Sequence, residues 1–215
     1  MRHDPDFARA PLDARPVPRA ALGVEWPTLA AVAACYALWA LATLGAEATG
    51  PALAVPLAAV AIAWRSSITH EVIHGHPFRD QRLSDALVYP ALDLAVPTDR
   101  FRDLHLAHHR DENLTDPYDD PESNYFDPAR WAALPGWARA ALRLNNTLLG
   151  RMTLGPALGL GAFWRDDLRA ALAGDQAVRR AWAKHLGGLA LVALWLAGPA
   201  TMSVGAYLLA AYLGI

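Results

Sequence analysis

Histidine is gathered into two short windows, His70-Glu71-Val72-Ile73-His74-Gly75-His76 and His105-Leu106-Ala107-His108-His109, which hold six of the eight histidines in the 215-residue chain. Neutral imidazole is the commonest biological metal ligand. On a helix, positions i and i+3 or i+4 share a face about 5–6 Å apart. His70 with His74, and His105 with His108 or His109, have that spacing. The pattern predicts two helix ends enclosing a shared metal site with His70, His74, His105, His108 and His109 as ligands. His76 follows Gly75, off the helical face, and is a further candidate ligand. Glu71 projects about 100° from His70, where it could ligate, orient a ligand or act as a catalytic base.

The first window also satisfies HExxH, the zinc protease pattern in which the glutamate is the general base. That reading leaves the second window unexplained, because a catalytic zinc takes three protein ligands. Five or six imidazoles suit redox metals better, and zinc has no redox chemistry. A membrane zinc protease is therefore one rival reading, and a non-catalytic membrane remnant with weak metal binding is another.

The elements that must position these residues are apolar. Residues 27 to 46 and 51 to 64 carry no charged side chain, and neither do the thirty residues from Leu186 to Ile215. Crossing a hydrocarbon core takes roughly 20 apolar residues. The first run meets this alone, and the second does so if its helix continues through Ser66, Ser67 and Ile68. The third is too long for one upright span and is interrupted at Gly198-Pro199. Arg2, Arg9, Arg15 and Arg19 precede the first run, and the other fifteen of nineteen basic residues lie between Arg65 and Lys184. By the positive-inside rule the N-terminus and the histidine windows lie on the cytoplasmic side. Trp26, Trp64 and Trp182 then mark the inner boundary.

The expected fold class is all-α: multipass integral membrane helices with a cytoplasmic histidine-rich helical region. Residues 1–25 read as a cytoplasmic tail and 26–65 as a transmembrane hairpin turning at Glu47 to Pro51. Residues 66–184 form the cytoplasmic and interfacial histidine region, and 185–215 a second, incomplete hairpin. A signal peptide is disfavoured by the long n-region and by the apolar helix that follows at once. Within the middle region the first histidine window ends its helix at Gly75 and Pro77. Leu83 to Val96 is expected as a shallow interfacial helix, Thr98 to Arg110 as the second histidine helix, and Arg130 to Met152 as helices lying in the interface. The acidic stretch Asp111, Glu112, Asp116, Asp119, Asp120 and Glu122 could anchor a metal-bridging water or recruit a donor protein; Glu112, Asp119 and Asp120 read as a solvated loop, and Asp116 stands nearer the histidines. His185 reads as an interfacial residue, and His3 carries no signal. Cys35, the only cysteine, falls mid-helix, so no intrachain disulfide is possible. No basic stripe with interleaved aromatics points to nucleic acid.

HEVIH at 70–74, HLAHH at 105–109, the preceding hairpin and the cytoplasmic linker together resemble the integral-membrane fatty acid desaturase family, over about residues 27 to 215. The resemblance implies two iron ions held by histidines, which activate O2 and remove hydrogen from an unactivated acyl methylene. His70 and His74 match the first histidine box, and His105, His108 and His109 the second. Glu71 stands where the family often has an acidic residue. The implied partners are an acyl-lipid, acyl-CoA or acyl-carrier substrate, O2, a ferredoxin-like electron donor and membrane lipids. The family's third HxxHH-like box has no counterpart in this sequence, so the expectation is a fragment or degenerate member whose iron site is incomplete. Related hydroxylases and ketolases share the boxes. The Ala-, Arg- and Leu-rich composition suggests a bacterial inner membrane.

Overall fold

The computed structural model describes residues 23–109, 116–118, 123 and 125–215. Among these residues the only secondary structure besides helix and turns is an isolated antiparallel bridge between Val24 and Phe78. The tail to residue 22, His3 with it, and Asp111, Glu112, Asp119, Asp120 and Glu122 lie outside the described residues.

Helix α1 (Trp26–Leu44) opens with Pro27 in its first turn, where the missing N–H costs nothing, and stops at Gly45. After a single turn, α2 (Ala46–Thr49), Gly50 takes φ +74°, and Pro51 starts α3 (Pro51–Ile73). These glycines and prolines make the expected hairpin. Both α1 and α3 are long and apolar enough to cross a membrane. α3 runs unbroken past Arg65 into the first histidine window. It ends where Gly75 adopts φ +95°, a conformation open to glycine at little cost.

Between α1 and α3 the core is built largely of alanine: Ala42, Ala54, Ala58 and Ala61 pack with Trp39, Val55 and Ile62. Small side chains let backbones approach closely enough for van der Waals contact to hold helices together. Cys35 is fully buried there, its thiol 3.2 Å from the Ala61 carbonyl oxygen. Two later helices, α10 (Gln176–Ala197) and α11 (Val204–Leu213), lie against this pair. The Trp195 ring stacks on Trp39 at 4.9 Å between centroids, and the Trp39 indole N–H donates to the Tyr207 hydroxyl at 3.1 Å. The turn between α10 and α11 is pinned to the end of α1, since the Thr201 and Met202 amides both donate to the Thr43 carbonyl at 3.0 Å.

Leu83 to Val96 departs from the expected interfacial helix. Only α4 (Gln81–Leu87) is helical, and the rest is an irregular segment in which Val88, Leu92, Ala91 and Ala95 are buried. Pro90 interrupts the helical pattern, and buried backbone must then find partners outside the segment. Side chains from five helices supply them. Tyr36 of α1 donates to the Leu87 carbonyl at 2.7 Å, Arg65 of α3 to that of Val88, and Tyr207 of α11 to that of Leu92 at 2.9 Å. His185 of α10 sits 3.2 Å from the Leu94 carbonyl, and Trp164 of α9 (Gly155–Leu172) donates to that of Ala95 at 2.9 Å. His185 is thus a buried tie rather than an interfacial residue. Leu94 holds φ +64°, a left-handed conformation that a branched side chain adopts only when its surroundings impose it.

The remaining helices are α5 (Thr98–His108), α6 (Pro128–Ala133), α7 (Gly136–Asn145) and α8 (Leu148–Thr153). Across α6 to α8, Trp137, Leu144, Leu148, Leu149 and Met152 are exposed. This stretch includes Arg130, Arg139, Arg143 and Arg151 and has no acidic residue, a composition suited to a lipid–water boundary.

Candidate metal centre

Both histidine windows sit at the C-terminal ends of their helices. His70 lies in the last turn of α3, and His74 caps it; His105 and His108 lie in the last turn of α5, and His109 caps that. Unpaired carbonyls give a helix C-terminus a partial negative charge that favours a cation. Two such ends therefore face the place where a metal ion would bind.

Four imidazoles converge there. One ring nitrogen from each of His70, His74, His105 and His109 lies within 4.8 Å of the others. His105 Nε2 is 3.2 Å from His74 Nε2 and 2.9 Å from His109 Nε2. The His70 ring stands 4.7 Å from His74 and 4.6 Å from His105 between centroids. Metal–imidazole bonds run about 2.0–2.1 Å, so nitrogens on opposite sides of one ion are about 4.2 Å apart. The spread of up to 4.8 Å among the four is close to that span. The donor set fits iron, because imidazole serves iron, copper, zinc and nickel alike.

His105 is buried, His70 half-buried, and His74 and His109 exposed, so the site opens on one side. Phe101, one turn before His105, lies 5.6 Å from its ring and covers the closed side. His74 is held below the ordinary imidazole pKa, first by lost hydration and then by the charges His70, His109 and His105 would carry, with Glu71 opposing. Its lone pair is accordingly available at neutral pH.

The other candidate residues fall around this group. Glu71 Oε1 lies 3.1 Å from His70 Nδ1, the contact by which a carboxylate fixes a ligand's tautomer. His108 stands outside the four, its ring 6.1 Å from His105 and 5.7 Å from His109. His76 turns the other way: its Nδ1 is 2.6 Å from Glu25 Oε2, clasping the approach to α1 onto the end of the first window. Asp116 accepts the Tyr118 amide at 2.8 Å as a local turn. With four imidazoles on one centre, a tetrahedral zinc would have no position left for the water of a protease, which disfavours the HExxH hydrolase.

Residues that escaped the sequence reading hold α5 in place. Arg100 forks onto Asp167 of α9 at 2.9–3.1 Å, and the Trp182 indole of α10 donates to the same carboxylate at 2.7 Å. Asp167 is only 3 % exposed. Arg102 pairs with Asp85 of α4, and Asp99 with Lys184 of α10 at 2.8 Å. The charged first half of α5 is thus tied to three helices while its last turn carries the imidazoles.

Residues 48–215 match the family model described as Fatty acid desaturase. No curated protein and no solved structure matches the chain.

Proposed function

The chain belongs to the fatty acid desaturase family, and from that premise we propose that it is a membrane oxidoreductase removing two hydrogens from adjacent methylenes of an acyl chain. Membership of this family implies an oxidoreductase that uses O2 and an acyl substrate. The observation that carries the reading for this chain is the convergence of His70, His74, His105 and His109 from two helix ends. In the proposed reaction the acyl chain loses two hydrogens, O2 is reduced to two waters, and a donor supplies two electrons while two protons come from solvent. A ferredoxin-like protein is the proposed donor, and the substrate arrives as an acyl-lipid, acyl-CoA or acyl carrier.

The residues divide the work. The four imidazoles would hold iron as neutral donors, and Glu71 would keep the His70 Nδ1 proton so that Nε2 is free. In this reading His108 would serve a second ion. Bound iron would supply the one-electron steps by which O2 becomes able to attack an unactivated C–H bond. Beside α5 runs a largely apolar groove of about 320 Å³, lined by Val96, Phe101, Leu104, Pro156, Leu160 and Phe163, with Arg151 also in its wall. Its volume is in the range of small-molecule sites. Phe101 lines it on one side and meets His105 on the other, so an acyl chain lying there would be near the imidazoles. The two apolar helices support a place in a membrane, and the distribution of basic residues supports histidines on its cytoplasmic face; the Ala-, Arg- and Leu-rich composition is the ground for proposing a bacterial inner membrane.

Expression in a host without desaturases, followed by lipid profiling, tests the reading. New unsaturated acyl chains that appear once a third histidine box is restored, and vanish with His105→Ala, are expected. No new unsaturation, hydroxylation or oxidation in any lipid class even with that box restored, the protein present in the membrane and a donor supplied, contradicts it.

A further inference from the structure

Arg65 is the only charged side chain of α3 before the turn that bears the histidines. A charge within an apolar span is costly and calls for a reason. Its Nη1 donates to Asp93 Oδ2 at 2.7 Å, and its Nη2 reaches the Val88 carbonyl and, at 3.4 Å, the Thr98 hydroxyl. Asp93 turns its other oxygen on the amides of Ala95 and Val96 at 3.0 and 3.3 Å. The two side chains are 3 % and 12 % exposed. This one pair therefore joins α3, the buried irregular segment and the first residue of α5.

Its place along the helices is what gives it meaning. Arg65 stands five residues before His70, and Thr98 seven residues before His105, so the pair braces both helices within about two turns of the imidazoles they carry. Buried ion pairs are weak sources of stability, and apolar residues of similar size often serve as well. What a planar guanidinium divided between a carboxylate, a carbonyl and a hydroxyl does add is fixed distance and angle among the segments that carry them. We propose that Arg65 and Asp93 are positioning residues that set the spacing between the His70–His74 and His105–His109 pairs. The inference rests on the reading of those four residues as one metal site. It predicts that the pair matters to the geometry of the site more than to the survival of the fold.

The test uses the full chain in lipid nanodiscs, with spin labels on Ser67→Cys and Asp103→Cys to read the α3–α5 distance without metal, and Co(II) titration to read affinity. Asp93→Asn and the apolar pair Arg65→Met/Asp93→Leu are compared with Trp39→Phe, which removes a core hydrogen bond away from the histidines. A broadened distance distribution and Co(II) binding weakened tenfold or more are expected in the first two and not in the third, with Arg65→Lys recovering part of the loss. Wild-type distances and Co(II) affinity in folded Asp93→Asn and in the apolar pair, with only the melting temperature changed, would overturn the proposal. Should the single variant fail to fold, the apolar pair decides alone, since it buries no unmatched charge. If the unmodified chain takes up no Co(II), the metal reading fails, and the distance measurement still decides whether the pair holds the helices.

Discussion

His74 and His105 carry the closest approach between the two windows, Nε2 to Nε2 at 3.2 Å. Replacing either by alanine should weaken metal binding by at least about a hundredfold, more than the ten- to hundredfold usual for losing an outer partner. His76→Ala should leave metal content unchanged, because its imidazole is engaged with Glu25; metal analysis of the three purified variants checks both outcomes. The metal-free protein should also respond to acid in a defined direction. His74 titrates lower in the folded protein than its ordinary value, so below that ordinary value, about 6.5, the unfolded chain binds more protons. This contribution to stability is present above pH 6.5 or so and is lost as pH falls through the folded value. Melting curves of the metal-free chain across that range should show the decline, and His74→Ala should lessen it.

At the scale of elements, α5 depends on what grips its charged half. Among the described residues, Arg100→Ala would leave the buried Asp167 with only the Trp182 indole. Removing one partner of a buried pair costs about 3 kcal/mol or more, which for a chain of this size is a fall of about 6–12 °C in Tm. Gly188 tests the packing of the irregular segment. A Cβ there would lie 2.3 Å from the Tyr89 carbonyl oxygen, so backbone must shift. Gly188→Ala should cost about 1–3 kcal/mol by overpacking, read in the same melting assay. The helices that carry histidines were legible in the sequence, because Gly75 and Pro77 punctuate one and the HxxHH spacing marks the other. The segment between them was not. Its apolar run reads as a shallow helix, and only the tertiary structure shows Tyr36, Arg65, Trp164, His185 and Tyr207 converging on its carbonyls from distant parts of the chain. One signal was nonetheless present: Arg65 and Asp93 are lone opposite charges within or at the ends of apolar runs, and such charges usually pair.

For the whole molecule, the one-sided placement of lysine and arginine makes a claim about topology. Labels on Thr49→Cys should react from outside intact cells, and labels on Arg79→Cys only after the membrane is opened, with Cys35 silent because it is fully buried. Reaction of both from the same side would refute the hairpin. The membrane hairpin followed from apolar run length, whereas the pairing of α10 and α11 with α1 depends on Trp195, Tyr207 and Thr201, whose partners lie more than a hundred residues away in sequence. The central claim is that two helix ends hold one redox metal between them, and metal analysis of the protein purified from iron-replete cells tests it most directly. Iron at about one or more per chain, lost in both His74→Ala and His105→Ala, is the predicted result. Zinc at about one per chain that survives His105→Ala, or no metal above background, would contradict it.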